Sequence, residues 1–249
     1  MAAALWYFDF ISPFAYLQLQ AMRALHARIG IAPVPIVFGA VLAQHGQLGP
    51  AEIAGKREFT YRFVQWQADR AGLPLCFPPA HPFNSLAALR LCVAAGGGWD
   101  VVQAIFDHVW RDGHAAGADD LRDLARSLGI DDVDAAIARA DIKDALRANT
   151  RMAIAAGVFG VPTLALGDEL YWGCDATPMI EQRLADAALF DGVEYRRIAT
   201  LPVGVERPRG ERNPAARHSA HSCGSGGSRD AFASAAGTIA GSAAPTKEC

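Results

Sequence analysis

The first forty residues alternate between short apolar runs and one amphipathic segment. A run of aromatic and aliphatic residues over 4–10 predicts a buried β-strand, because it is short and shows no helical period. Apolar positions then recur at helical spacing over 13–28, and Gly30 marks the predicted end of that helix. A second apolar run over 34–38 predicts another strand, although Pro35 weakens it. This order favours a parallel β-α-β unit.

From about residue 50 the pattern becomes helical for roughly a hundred residues. We expect Asn84 to cap a helix over 85–96, and the last helix of this block to cover 141–157. Three apolar stripes recur at helical spacing, and we expect all of them to face the core. The stripes are Phe59, Phe63 and Trp66; then Val101, Val102, Ile105, Phe106, Val109 and Trp110; and finally Leu121, Leu124, Ala125 and Leu128.

The pattern returns to strands after the helical block. Apolar runs at 164–166 and 170–172 flank Gly167-Asp168, which predicts a β-hairpin with a two-residue turn. Asp175 is then expected to cap a closing helix over 176–187.

The element order predicts an α/β, thioredoxin-like fold with an inserted all-helical domain. We expect the thioredoxin-like domain to be discontinuous, formed by 1–45 and 150–200, and the helical insertion to cover 46–149. Residues 204–249 are rich in Arg, Pro, Gly, Ser and Ala, with almost no large apolar side chains, so we expect a disordered tail.

Composition narrows the functional classes. The 249 residues are 51% hydrophobic and 20% charged, with a net charge of −3 and no basic patch, so a nucleic-acid partner is not expected. Asp9 interrupts the first apolar run, and no run reaches the roughly 18 residues of a membrane span, so neither a signal peptide nor a membrane partner is expected. No C-x-x-C pair occurs, which favours a reducing, cytoplasmic compartment. The five cysteines are Cys76, Cys92, Cys174, Cys223 and Cys249.

Ser12-Pro13 lies between the first strand and the first helix. Ser12 can cap that helix, and Pro13 fits the first turn, where the missing N–H has no partner to lose. A hydroxyl at a helix N-terminus can also hold an anion such as a thiolate. Because no candidate base is evident in the sequence, we interpret Ser12 as a plain cap or as a hydrogen-bond donor to an anion, rather than as a nucleophile.

Other residues also carry a structural and a functional interpretation. Pro162 is either an ordinary trans proline or the proline of a cis loop that presents the Val161 backbone to a peptide. Asp175 is a cap that can also receive an ammonium group, and Lys56 is a surface charge by default. We predict no metal site, since His108 and His114 lack the i, i+4 spacing of a helical zinc pair.

Several segments together resemble one family. They are Phe8-Asp-Phe-Ile-Ser-Pro-Phe-Ala-Tyr16, Phe38-Gly-Ala-Val-Leu42, Gly55-Lys-Arg57, Phe77-Pro-Pro-Ala-His-Pro-Phe-Asn84, Phe159-Gly-Val-Pro-Thr163 and Trp172-Gly-Cys-Asp175. From residue 4 to about 190 the chain resembles 2-hydroxychromene-2-carboxylate isomerases, which are grouped with kappa-class glutathione transferases and are related to DsbA-like thioredoxin folds.

The resemblance implies a glutathione-dependent isomerase of aromatic catabolism. The serine at Ser12 would hydrogen-bond the glutathione sulfur, and the Val161 backbone, with Pro162 in the cis form, would pair with the cysteinyl unit. Cys174 and Asp175 would hold the γ-glutamyl end, and Lys56 would lie near the glycyl carboxylate. The expected wall of the aromatic substrate's pocket is formed by Phe10, Pro13, Phe14, Phe83 and Asn84.

Two departures from the family pattern and several alternatives stay open. Cys174 replaces a frequent serine, and Gly46-Gln47 replaces Gly-Asn, which leaves the contacts of Gln47 to the glycyl end in question. A general kappa-class transferase or peroxidase is the main alternative activity. A binding module without catalysis is a third hypothesis, and a homodimer remains open.

Overall fold

The computed structural model describes residues 4–205 and contains a four-stranded mixed sheet. Its strands are β1 (Ala4–Phe8), β2 (Ile31–Pro35), β3 (Thr163–Leu166) and β4 (Glu169–Trp172), in the order β2-β1-β3-β4. β1 is parallel to β2 and antiparallel to β3, and β3 and β4 form the predicted hairpin. This sheet confirms the α/β, thioredoxin-like prediction.

Ten α-helices are assigned within the described residues. They are α1 (Pro13–Ile29), α2 (Phe38–His45), α3 (Ala54–Ala71), α4 (Leu86–Ala94), α5 (Trp99–Phe106), α6 (Arg122–Ser127), α7 (Val133–Ala138), α8 (Ala140–Ala155), α9 (Thr177–Ala185) and α10 (Val193–Ala199). A π-helical turn over Asp107–Arg111 continues α5, and 3₁₀ turns cover Pro50–Glu52 and Cys174–Ala176. The predicted domain boundaries within 1–203 stay predictions, and the predicted tail lies almost entirely outside the described residues.

The predicted position of the second strand is wrong by about three residues. β2 covers Ile31–Pro35 rather than 34–38, and α2 already begins at Phe38. Pro33 and Pro35 are tolerated because β2 is an edge strand, where a missing N–H breaks no ladder on the open side. Beyond the end of β2, the Ile36 N–H still donates to the Phe8 carbonyl at 2.9 Å. The Ile36 side chain is buried, so the apolar run extends past the strand.

Alternation along β1 divides the apolar core between the two faces of the sheet. Trp6 and Phe8 belong to the larger cluster, whereas Tyr7 belongs to a smaller cluster with Ile36 and Val158. The larger cluster includes most of the second and third predicted stripes, so the core prediction for those helices is confirmed. Side chains from the helices of 86–128 therefore pack directly against the face of the sheet that carries Trp6 and Phe8.

The first predicted stripe does not face the core. Phe59 is 60% exposed and Trp66 is 50% exposed, while α3 buries the smaller side chains of Thr60, Val64 and Ala68. Both sets recur at helical spacing, one residue apart on the same helix. Periodicity therefore identified the helix but could not choose which face is buried. The name aromatic stripe is kept below for Phe59, Phe63 and Trp66.

Candidate active site

Ser12 lies in the tight turn that joins β1 to α1. It is the N-cap residue of α1, in an extended conformation, and its Oγ accepts a hydrogen bond from the Ala15 N–H at 3.3 Å. Pro13 occupies the first helical position. The predicted cap is therefore confirmed, and it uses the acceptor side of the hydroxyl, because a backbone N–H can only donate.

The Ser12 hydroxyl proton has only a weak internal acceptor. The nearest is the Val161 carbonyl oxygen, 3.5 Å from Oγ, at the outer limit of a hydrogen bond. Ser12 is 6% exposed. The contact joins the two sequence motifs across 149 positions of the chain. The turn thus presents a nearly buried donor at the positive end of a helix.

The loop before β3 passes next to Ser12. The Val161–Pro162 peptide bond is cis. Among the described residues, the Val161 N–H has no hydrogen-bond partner, and its carbonyl has only the long contact with Ser12. A Cβ at Gly160 would lie 2.3 Å from Trp172 Nε1, so a larger residue there would have to displace the exposed Trp172 ring. The Val161 peptide groups are therefore available to pair with an extended ligand backbone.

The short turn Cys174–Ala176 is joined to this loop. The Gly173 N–H donates to the Pro162 carbonyl at 2.9 Å. Gly173 has φ +90°, a conformation that favours glycine, and a Cβ there would lie 2.5 Å from the mobile end of the exposed Asp175 side chain. The predicted capping role of Asp175 is wrong. α9 begins at Thr177, and Asp175 lies exposed inside the 3₁₀ turn before it, because that turn takes up the residues expected to open the helix.

Gln18 holds this turn against α1. Its Nε2 donates to the Gly173 carbonyl at 3.0 Å and to Thr177 Oγ1 at 3.2 Å, while its Oε1 accepts from Trp6 Nε1 at 2.9 Å. The side chain is buried, and these three bonds satisfy its amide. Gln18 was not predicted to have a role at the site. Its position on the buried face of α1, among apolar residues, was the available signal.

A cleft of about 390 Å³ opens between α3 and the Cys174 turn. Cys174 Sγ lies 3.4 Å from Gln67 Oε1, and burial together with the neighbouring Asp175 charge raises the pKa of the Cys174 thiol to about 11. Cys174 is therefore a thiol, not a thiolate, at neutral pH. The lining residues are Leu17, Phe63, Trp66, Gln67, Arg70, Ala71, Cys174 and Asp175.

Charge and aromatic surface meet at this cleft. The Arg70 guanidinium, on α3, lies 4.7 Å from the centroid of the Trp66 ring. Asp175, on the Cys174 turn, lines the same cleft with a negative charge. Ser12 does not itself line the cleft. The Phe14 ring, two residues after Ser12, lies 6.4 Å from the Phe63 ring, which does line it. Phe14 and Phe63 therefore connect the cleft to the serine.

Of the five residues of the expected substrate wall, Phe10 does not fit this role, and the other four stay predictions. Phe10 is 0% exposed and packs in the core against Phe106 at 4.7 Å between ring centroids, so its role as a pocket wall is wrong. Pro13 is buried, and Phe83 is half-buried. Asn84 is exposed, and its Oδ1 accepts from the Leu86 N–H. Asn84 therefore caps the first turn of α4 with its side chain, as predicted, although it lies one residue before the assigned N-cap residue, Ser85, whose own side chain forms no capping hydrogen bond.

The two positions expected at the glycyl end lie on the surface. Lys56 is exposed in the first turn of α3, and Gln47 is exposed just beyond the end of α2. Lys56 forms no hydrogen bond or ion pair with any residue of 4–205. Their proposed contacts stay predictions.

Three side chains that were not predicted to act at the site hold the backbone around Ser12. Trp110 Nε1 donates to the Phe10 carbonyl at 2.8 Å, and His81 Nε2 lies 2.9 Å from the Ile11 carbonyl. The buried Asp9 accepts from the Ile11 N–H at 3.1 Å and from the Phe38 N–H at 2.9 Å. Burial raises the pKa of Asp9 despite these bonds. A polar residue inside an apolar motif was the only sequence signal for Asp9 and His81.

Residues 4–205 hold no group of three or more metal-ligating side chains. None of the helices assigned there is long and apolar enough to cross a membrane.

Comparison with known proteins agrees with this geometry. Residues 5–185 match the family described as DSBA-like thioredoxin domain. A 2-hydroxychromene-2-carboxylate isomerase of Pseudomonas sp. (strain C18) is 32% identical over 198 residues, covering 73% of this chain and 90% of that protein. A glutathione S-transferase kappa 2 of Caenorhabditis elegans is 24% identical over 205 residues, covering 73% of this chain and 91% of the relative.

A solved structure of a 2-hydroxychromene-2-carboxylate isomerase superposes with a TM-score of 0.67 at 28% identity, covering 81% of this chain and 100% of that one. The matched region contains the serine turn, the cis-proline loop and the Cys174 turn. The chain therefore belongs to the DSBA-like thioredoxin domain family and, within it, to the 2-hydroxychromene-2-carboxylate isomerases.

Proposed function

We propose that this protein is a glutathione-dependent isomerase of 2-hydroxychromene-2-carboxylate-type aromatic acids. The observation that carries the proposal is the Ser12 hydroxyl. Its acceptor side is used by the Ala15 N–H, and its proton has no closer acceptor in the described chain than the Val161 carbonyl at 3.5 Å. A hydroxyl held in this way at a helix N-terminus is suited to donate to a thiolate from outside the protein.

Each polar group of glutathione has a candidate partner among the residues of the site. The unpaired N–H of Val161, and its carbonyl with only the 3.5 Å contact to Ser12, suit the peptide unit next to the sulfur. Arg70 and Asp175, which line the cleft together, offer opposite charges to the carboxylate and the ammonium of the γ-glutamyl end. The cleft volume of about 390 Å³ falls within the range typical of small-ligand sites. Lys56 would attract the glycyl carboxylate.

The chemistry divides between glutathione and the protein. When bound, glutathione would supply a sulfur nucleophile for reversible addition to the unsaturated substrate. Ser12 donates to that sulfur and so favours its charged form. Phe14 and Phe63 offer ring faces for an aromatic substrate between the serine and the cleft. Cys174 keeps its proton and contributes contacts rather than nucleophilic chemistry.

The proposal includes a location and an assembly. We place the protein in the cytoplasm, where glutathione is kept reduced. We also propose a homodimer, because the exposed Phe59 ring, which does not line the cleft, offers apolar surface of the kind that interfaces cover. Sedimentation equilibrium of the wild type and of Phe59→Glu tests this. A monomeric wild type contradicts the dimer.

A kappa-class transferase or peroxidase is the second candidate, and the kappa relative from Caenorhabditis elegans is the observation that favours it. Parallel assays with a hydroxychromene acid, chlorodinitrobenzene and a hydroperoxide, all with glutathione, separate the two activities. The isomerase proposal expects turnover of the hydroxychromene acid to exceed the other two.

Glutathione binding is the direct test of the proposal. At about 100 times its dissociation constant, glutathione should add roughly 2.7 kcal/mol to the free energy of unfolding. The ultraviolet absorbance of the bound thiolate, followed against pH, should show a pKa below that of free glutathione. S-methylglutathione is the control, since it keeps the peptide but has no thiol to titrate. If calorimetry finds no binding and the melting temperature does not change, the proposal is wrong.

A further inference from the structure

The helical block, which consists of α3–α7 and the segments between them, contacts the serine turn through two ring N–H donors. Trp110 and His81 bond the consecutive carbonyls of Phe10 and Ile11, and their own rings lie 5.5 Å apart. Trp110 is fully buried in the core, but His81 is only partly buried and is held by a further polar contact. We propose that His81, supported by Tyr61, is a positioning residue that fixes the direction of the Ser12 hydroxyl.

The contacts of His81 assign the proton on its ring. A carbonyl oxygen only accepts, so the 2.9 Å contact with the Ile11 carbonyl requires a proton on Nε2. Nδ1 is then the acceptor of the neutral ring, and the Tyr61 hydroxyl lies 2.8 Å from it. The same hydroxyl lies 2.7 Å from the His81 carbonyl, so its one proton is shared between two acceptors, Nδ1 and that carbonyl oxygen. Burial lowers the pKa of His81, which is consistent with the neutral form.

The Ile11–Ser12 peptide unit is held at both ends by these bonds. Its carbonyl accepts from His81, and its N–H, which belongs to Ser12, donates to the Asp9 carbonyl at 3.0 Å. A peptide unit is planar, so fixing both groups fixes the plane. The Cα of Ser12 is attached to that plane. Without His81, the carbonyl end of this unit would lose its restraint, and the hydroxyl would be directed toward a bound sulfur less strictly, by the contacts of Ser12 with α1 and with the Val161 carbonyl alone.

The ring of His81 is itself confined by aromatic neighbours. Its centroid lies 5.3 Å from Tyr61, 6.0 Å from Phe83 and 6.5 Å from Phe77, each at a steep interplanar angle. These neighbours restrict the ring to one orientation. Tyr61, Phe77 and Phe83 all belong to the helical block. The helical block would therefore determine the geometry of a serine that follows a strand of the sheet.

Replacing His81 should impair turnover more than binding. His81→Phe keeps a ring in the aromatic cage but removes the donor to Ile11, and we expect kcat to fall about ten- to a hundredfold, as for a small misplacement of a reacting group. The KM for glutathione should change less than threefold, because its peptide ends are held elsewhere. His81→Gln restores an N–H donor and should recover part of the loss, and Tyr61→Phe should show a smaller effect in the same direction.

His108→Phe is the matched control. His108 is also a partly buried histidine of the helical block, and its Nε2 lies 3.1 Å from the Ala115 carbonyl, but it does not contact the serine turn. Its loss should lower stability without changing kcat. Equal kcat in the wild type and a folded His81→Phe overturns the inference. So does an equal fall of kcat in His81→Phe and His108→Phe.

A second readout needs no glutathione, whereas the kinetic one rests on the proposed function. In a Ser12→Cys variant, alkylation by iodoacetamide against pH measures the thiol pKa at the helix N-terminus, which should be depressed. Adding His81→Phe should raise that pKa by at least half a unit, and adding His108→Phe should not. An unchanged thiol pKa contradicts the positioning role even if glutathione does not bind. A changed pKa supports it, and the calorimetric test alone then decides the glutathione proposal.

Discussion

The two parts of this molecule serve the candidate site in different ways. The sheet half, formed by β1–α2 and α8–α9, presents the groups that face a ligand: the Ser12 hydroxyl, the Val161 backbone and the Cys174 turn. The helical block, formed by α3–α7 and the segments between them, supplies one wall of the cleft and the ring donors behind the serine turn. The sheet half therefore carries the serine and the backbone groups of the site, whereas the helical block adds Phe63 and Arg70 to the cleft and contacts the backbone behind the serine.

The polar contacts within the helical block differ from those that connect it to the serine turn. On the helical block, most ion pairs join exposed arginine and aspartate side chains within a few residues, such as Arg126 with Asp123. Pairs of this kind contribute little to stability. The bonds from His81 and Trp110 are fewer, but they connect residues about 70 and 100 positions apart. A long-range bond to a backbone carbonyl constrains the fold around the site, which a local surface pair does not.

The largest effect expected in the sheet half is that of Ser12→Ala. If Ser12 donates to the glutathione sulfur, turnover near neutral pH should fall by roughly 10²–10³, as for the loss of one donor to a developing anion. Loss of the cap should cost only about 1 kcal/mol of stability. Steady-state kinetics and urea unfolding measure the two quantities. Ser127→Ala, on the surface of α6, is the control, and equal turnover in both variants would reduce Ser12 to a cap.

Gln18→Leu should have the next largest effect. It removes three hydrogen bonds and leaves the Gly173 carbonyl and the Trp6 N–H without partners in a buried region. We expect a loss of about 2–3 kcal/mol in the free energy of unfolding, and weaker glutathione binding because the Cys174 turn is released. Gln20→Leu is the control, since Gln20 lies exposed on the same helix. Comparable stability of the two variants would contradict the role assigned to Gln18.

A pH dependence should arise mainly in the helical block. Burial lowers the pKa of both His81 and His108, so the folded state prefers the neutral rings. Their stabilising contribution is then present above the unfolded-state pKa and is lost as the pH falls through the folded-state pKa. The loss can approach about 1.4 kcal/mol per pH unit for each histidine. Urea unfolding at pH 7.5 and 5.0 should show a smaller loss in His81→Phe and in His108→Phe than in the wild type. Parallel losses in all three proteins would contradict the assignment.

The smallest effect is expected on the aromatic stripe. Phe59→Ala should change the free energy of unfolding of the monomer by less than about 0.5 kcal/mol, because the ring is mostly exposed. Val64→Ala, five residues along the same helix, should cost roughly 1–3 kcal/mol because Val64 is fully buried. Unfolding at low protein concentration limits any contribution from a dimer. The opposite ranking would mean that α3 buries the other face.

The spacing of apolar and turn residues predicted secondary structure correctly where those local residues alone determine the element. The strand at 4–8, the helix after Ser12-Pro13, the hairpin around Gly167-Asp168 and most of the second and third stripes were all predictable from spacing and turn chemistry. The resemblance also identified the segments that meet at the site. Ser12 and Val161 lie together, and Cys174 is tied to the same loop, as those motifs imply.

What only the tertiary structure decided depends on contacts between distant segments. Which face of α3 is buried, the burial of Phe10 and the 3₁₀ turn at Asp175 each follow from neighbours that no local pattern encodes. The same holds for His81 and Gln18, whose roles exist only because Ile11 and Gly173 lie within hydrogen-bond distance. The sequence by itself determined the elements and the motif residues of this protein. Tertiary packing decided their orientation, because a side chain's burial and partners depend on the segments folded against it.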